Sequence, residues 1–194
     1  MRIFSYVGPS AFGIALLCLL PGCVNLNPPK ENQVTSQDGK PLDIRRGAST
    51  FAHFCYGTAP SFAGLEEEAL SGSYERAQNG WLEHFEFNLD MVVRDHGDFK
   101  SCQLNFESQQ PVNVFEEIMA HPFNARELPK AEYRKLFRSE FDTRAFDFRI
   151  NKVFASRATF ADRDTSAMFY GFVLDNPQTQ AGANSFGLIL QVEQ

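Results

Sequence analysis

Alternation of apolar with polar side chains constrains this chain more than any other feature. Phe146, Phe148 and Ile150 alternate with Asp147, Arg149 and Asn151, and Phe186, Leu188, Leu190 and Val192 keep the same period near the C-terminus. Between them, Ala167 to Leu174 is apolar on both registers. Successive side chains of a strand point to opposite faces, so the flanking segments read as half-buried strands and the middle one as an interior strand. Trp81 to Val93 reads as one more strand, with Phe85, Phe87, Leu89, Met91 and Val93 facing one way and His84, Glu86, Asn88 and Asp90 the other. Asp95-His96-Gly97-Asp98 supplies a turn, after which Cys102, Leu104 and Phe106 resume the alternation. This pattern predicts a β-hairpin whose second strand carries Cys102 on its inner face.

Elsewhere the period lengthens. Ser49-Thr50 followed by Phe51, Phe54 and Cys55 reads as a capped helix start, and Pro60 opens a second turn carrying Phe62, Leu65 and Ala69. Glu66, Glu67 and Glu68 fall near the N-terminal end of that second element, where negative charge complements the helix dipole. Consecutive residues do not converge on one point, so the three carboxylates read as a solvated face rather than a metal patch. Val112, Phe115, Ile118 and Met119 form a helical stripe that stops before His121-Pro122. Leu128 to Phe137 fits a short helix or a loop. The expected class is therefore α+β, an antiparallel Phe-rich sheet with two or three helices packed on one face. The 20 Phe residues, against a single Trp, are core material first, and 43% hydrophobic residues suffice to close a core. At 194 residues the chain accommodates one ordinary domain and a tail. No period of 20–50 residues recurs, which argues against a repeat solenoid.

The N-terminus carries an address rather than core. Arg2 precedes a short apolar run, Ser10 to Leu20, and no charge occurs between Arg2 and Lys30. That run is too brief for the roughly 30 Å of hydrocarbon that about 20 apolar residues span, and it describes a signal peptide over residues 1–22. Leu20-Pro21-Gly22-Cys23 resembles the lipobox of bacterial lipoproteins. The resemblance implies cleavage before Cys23, lipidation of that cysteine, and an anchor in the bacterial cell envelope. Val24 after the modified residue does not resemble an inner-membrane retention signal, which points to the outer membrane facing the periplasm. A soluble periplasmic or secreted protein is the alternative. Residues 23–47 are polar and rich in Asn, Gln and Pro, with no aromatic side chain, and read as the lipidated cysteine and a flexible tether. Residues 48–194 are then the single globular domain.

Of the four cysteines, Cys18 leaves with the signal and Cys23 takes the lipid. Cys55 and Cys102 remain, and two thiols in an oxidising envelope commonly pair. Closing that loop is worth about 4 kcal/mol in the chain-entropy account. The rival, a Cys55 nucleophile served by His53, gains nothing from their closeness in sequence, because catalytic Cys and His meet in space.

No phosphate loop, Gly-x-Ser-x-Gly elbow, His-Glu-x-x-His or Cys-x-x-Cys occurs, and no cofactor is expected. The group that carries chemistry is His84, Glu86 and Asp90 with His96 and Asp98 in the next turn. Two imidazoles and nearby carboxylates suit zinc or an acid–base pair, whereas the plainer reading is the polar side of an amphipathic strand. The formal charge of −6 leaves no cationic footprint for nucleic acid. Residues 24–125 hold 7 basic and 15 acidic side chains, a balance of −8, and residues 126–194 hold 10 and 9, a balance of +1. Arg126, Lys130, Arg134, Lys135 and Arg138 could face anionic headgroups, but Glu127, Glu132 and Glu140 break the run. The expectation is an envelope-tethered, non-catalytic binding or structural lipoprotein, held at the membrane by its anchor and able to meet an envelope protein or polymer. An envelope hydrolase with a site around His84, Glu86 and Asp90, or a protein inhibitor, are the alternatives.

Overall fold

The alternating segments pair into one antiparallel sheet. In the computed structural model the described residues are 39–133, 149–160, 166–175 and 179–194. Among the described residues eight strands run β1 (Tyr74–Arg76), β2 (Leu82–His84), β3 (Leu89–Asp95), β4 (Phe99–Ser108), β5 (Arg126–Glu127), β6 (Arg149–Thr159), β7 (Ser166–Asp175) and β8 (Asn184–Glu193). Their spatial order is β1-β2-β3-β4-β8-β7-β6-β5. The hairpin of β3 and β4 forms as expected, with Val93 opposite Cys102 and Asp95 opposite Lys100. The last strand of the chain does not close an edge. It lies between β4 and β7 at the centre of the sheet, a place its burial on both faces explains: Phe186, Leu188, Leu190 and Val192 face one side and Ile189 the other.

Helices cover one face. Helix α1 (Ile44–Phe51) buries Ile44, Gly47, Ala48 and Phe51, the i, i+3, i+4, i+7 stripe of an amphipathic helix. It runs into a π-helical turn, Ala52–Tyr56, that buries Phe54 and Cys55. Helix α2 (Leu65–Ser71) adds Leu65 and Ala69, and α3 (Val112–Ala120) adds Phe115, Ile118 and Met119. Their side chains join Met91, Leu104, Phe106, Phe169 and Phe186 of the sheet in one core, as the α+β reading expects. Within it Phe115 stacks on Phe186 at 4.6 Å and Phe123 on Phe169 at 4.4 Å. No described helix is long and apolar enough to cross a membrane.

Three expectations need correction. The first helix starts at Ile44 and not at Ser49-Thr50, because Asp43 caps it: Asp43 Oδ1 accepts the N–H of Arg45 at 2.8 Å and of Arg46 at 3.2 Å. The folded body accordingly takes in residues assigned to the tether, with Leu42 and Ile44 buried in the core. The expected strand Trp81–Val93 is two strands. Residues 85–88 reverse the chain so that β2 pairs antiparallel with β3, Leu82 opposite Met91 and Glu83 opposite Asp90. Phe85, expected to face inward, sits at this reversal and is 64% exposed. Cys23, the signal segment, Phe146, Phe148, Arg134, Lys135 and Arg138 lie outside the described residues.

Candidate functional site

The second face of the sheet is divided. Over β6–β8 it is apolar, with Val153, Ala155, Tyr170, Phe172, Leu174 and Ile189 packed beneath Leu128 and Tyr133. Over β2–β4 it is largely polar, with Val92 a buried apolar residue among the polar ones. The register places Glu75 of β1 opposite Glu83 of β2, Glu83 opposite Asp90 of β3, and Asp90 opposite Asn105 of β4. Sequence alternation assigns such positions to solvent, yet Asn88, Asp90, Asn105 and Glu107 are all buried. Among them Asn88 Nδ2 donates to Glu107 Oε2 at 2.9 Å, and Asn105 Oδ1 accepts from Gln103 Nε2 at 3.0 Å. Burial, reinforced by the facing Glu75 carboxylate, raises the pKa of Glu83 above the ordinary carboxylate value. The signal for this row was the Gln103, Asn105, Glu107 alternation in β4. What hydropathy could not reveal is that it is buried.

The reversal between β2 and β3 scatters the residues with catalytic or metal-binding promise. His84 shares the helix-covered face with Leu82, its ring edge-on to Tyr74 at 5.0 Å and tilted against Phe87 at 5.0 Å. Asp90 lies on the opposite face, one register position from Met91. Glu86 is on the surface, paired with Lys40 at 3.0 Å, and this bond holds its carboxyl below the ordinary value. His96 stands in the β3–β4 turn, stacked on Phe99 at 4.3 Å and 3.1 Å from Ser101 Oγ. The expected His84, Glu86 and Asp90 group therefore does not converge. Among the described residues no three His, Cys, Asp or Glu side chains stand together as a metal site. The Glu66–Glu68 run lies on the exposed side of α2, where Glu68 pairs with His53 at 2.8 Å and Glu66 with Arg76.

Cys55 and Cys102 are bonded, with Cα atoms 5.6 Å apart and 47 residues of separation. The bridge ties the π-helical turn to the inner face of β4, and both cysteines are fully buried. His53 points instead to Glu68, away from any part in cysteine chemistry. Burial also pushes the Tyr56 hydroxyl pKa up to about 12, the ring lying edge-on to Phe51 and tilted against Phe123. Of the basic run, Arg126 meets Glu132 at 3.3 Å, so opposite charges interleave there as the sequence implies. An open groove of roughly 360 Å³ runs between α1 and the end of α3, lined by Ala48, Ala52, Ile118, His121, Pro122 and Phe123 among others. No family model matches the chain, and no curated protein or solved structure matches it.

Proposed function

We propose that this chain is an envelope-tethered, non-catalytic lipoprotein whose folded domain serves binding or structure. The observation that carries the reading is the pairing of Cys55 with Cys102 in a chain whose N-terminus resembles an export signal ending at Cys23. A buried bridge between elements far apart in sequence belongs to an oxidising compartment, which is where a lipobox-like segment would deliver the domain. Polar residues from Val24 to Asp38 give the anchor reach without a core of their own. The hydrolase alternative draws no support from geometry, since Asp90 lies on the opposite face of the sheet from His84 and the Glu86 carboxylate is taken up by Lys40. The groove beside α1 gives the domain a partly apolar concavity of the kind small partners occupy.

The test is metabolic labelling with a palmitate analogue in bacteria that express the full chain, alongside Cys23→Ser. Label in the wild type, lost in the variant together with its sedimentation with membranes, is the expected result. A wild-type protein that takes no label and stays reduced at Cys55 overturns both the anchor and the compartment.

A further inference from the structure

An imidazole holds the reversal between β2 and β3. His84 Nδ1 accepts the backbone N–H of Glu86 at 3.0 Å and of Phe87 at 3.3 Å. Both donors are amides that keep their protons, so Nδ1 must offer its lone pair and the ring is neutral with its proton on Nε2. A proton on Nδ1 would turn the acceptor into a donor facing two N–H groups.

The same reversal grips the start of the folded body. Lys40 N–H donates to Glu86 O at 2.8 Å, and Asn88 N–H donates to Lys40 O at 2.9 Å. Lys40 Nζ reaches Glu86 Oε1 at 3.0 Å. Gly39 approaches so closely that a Cβ there would stand 2.2 Å from Asn88 Oδ1. One ring thus orders the turn, and the turn holds the Lys40 backbone through both its N–H and its carbonyl, while Gly39 O also accepts from Gln180 Nε2 at 2.9 Å.

The titratable and charged groups around His84 come from three elements. Arg46 of α1 lies with its guanidinium over the Phe87 ring at 4.5 Å, Tyr74 of β1 presents its ring edge, and Glu86 of the turn is occupied by Lys40. Burial lowers the His84 pKa, Arg46 lowers it further, and Glu86 opposes them in part.

We propose that His84 is an acid-sensitive latch: protonation of Nδ1 releases residues 85–88 and, with them, their hold on the Lys40 backbone. The idea goes beyond the tethered-domain reading and does not need the lipid. Its sign follows from linkage. The closed latch binds the proton more weakly than a free imidazole, so closure is fully favoured above about pH 6.5 and weakens as pH falls, by at most about tenfold per pH unit.

Hydrogen exchange on the purified full chain tests this at about pH 7.5 and about pH 5.0, with each set corrected for the intrinsic rate. Protection at the Lys40, Phe87 and Asn88 amides should fall several-fold at the lower pH, with about thirtyfold as the ceiling, while β7 and β8 keep theirs. His84→Asn offers a side-chain oxygen that accepts from the N–H two residues on without titrating, so its protection at those amides should be the same at both pH values. An equal loss in His84→Asn and wild type overturns the latch. So does a His84 ring that titrates at or above about pH 6.5 by proton NMR of the unaltered protein, a measurement that needs no variant.

Discussion

The two halves of the sheet, β1–β4 and β5–β8, are held by different forces, although β5 at the outer edge of the second has only two residues. Strands β6, β7 and β8 are 11, 10 and 10 residues long, and β7 and β8 bury apolar side chains on both faces. Long ladders and two-sided burial leave that end little freedom to open alone. Strands β1 and β2 have three residues each, and the second face beside them is largely polar. There, local devices replace extended pairing: the Asp43 cap, the His84 ring in its turn and the bridge from Cys55 to β4. The difference locates conformational freedom. The end built from short strands and single bonds is the end that a proton or a reductant can loosen.

The largest effect should come from the aromatic core where the helices meet the central strands. Phe169 is fully buried, stacked on Phe123 at 4.4 Å and 5.6 Å from Phe51. Phe169→Ala should lower unfolding free energy by about 3–5 kcal/mol, read from denaturant midpoints at unchanged m-value. Phe85→Ala, at the exposed reversal, should stay within about 0.5 kcal/mol. Comparable losses in the two variants would break the contrast between the ends. The double variant Cys55→Ala/Cys102→Ala should lose about 2–4 kcal/mol, because the unfolded chain regains the freedom of the closed loop. Exchange should rise in α1, β1, β2 and β3 before it rises in β7. If instead all amides loosen together, the bridge stabilises the whole domain and not one end of it.

These contrasts show where the sequence was legible. Period-two segments with large side chains gave true strands: the β3–β4 hairpin, the interior β7 and the apolar register of β8 all follow from alternation. The α3 stripe of Phe115, Ile118 and Met119 was equally plain, because a helix announces itself by one face. Alternation failed across residues 85–88, where Phe85 and Phe87 continue the period though the backbone has turned. A period of two records side-chain parity and is blind to a reversal that puts even-numbered residues of β2 and odd-numbered residues of β3 on one face. The cap was missed for a related reason: Asp43 lies in a polar stretch, and only the burial of Ile44 marks it as a helix start. The polar row of Asn88, Asp90, Asn105 and Glu107 was visible as residues and invisible as a buried surface. Burial of polar side chains is decided by what packs over them, which hydropathy along one strand does not contain.

A smaller effect probes how closely α1 lies on the sheet. Gly47 sits on the buried stripe of the helix, and a Cβ there would fall 2.8 Å from the Phe106 ring. Phe106 is itself buried and stacked on Phe186 at 5.5 Å, so the ring has little room to yield. Alanine normally favours a helix over glycine by about 1 kcal/mol. Here overpacking should win, and Gly47→Ala should destabilise by about 1–3 kcal/mol in the same denaturant assay. A stabilised variant would mean that α1 rides higher on β4 than the Gly47–Phe106 approach implies.

The smallest effect isolates the cap. Asp43 Oδ1 serves the N–H groups of Arg45 and Arg46, while Oδ2 accepts from Gln110 Nε2 at 2.8 Å. Gln110 Oε1 in turn accepts the Ile44 N–H at 2.7 Å, so the start of α1 and the entry to α3 share one exchange of hydrogen bonds. Asp43→Ala removes the carboxylate but leaves the Gln110 bond to Ile44, and should cost about 1 kcal/mol. Asp43→Asn keeps the Oδ1 acceptor and should cost about half of that or less, since asparagine caps nearly as well as aspartate. Hydrogen exchange should place the loss in α1 alone, with β7 and β8 unmoved. A loss shared by those strands would show that capping α1 steadies the entire sheet, and the division between a rigid end and a loosened one would have to be given up.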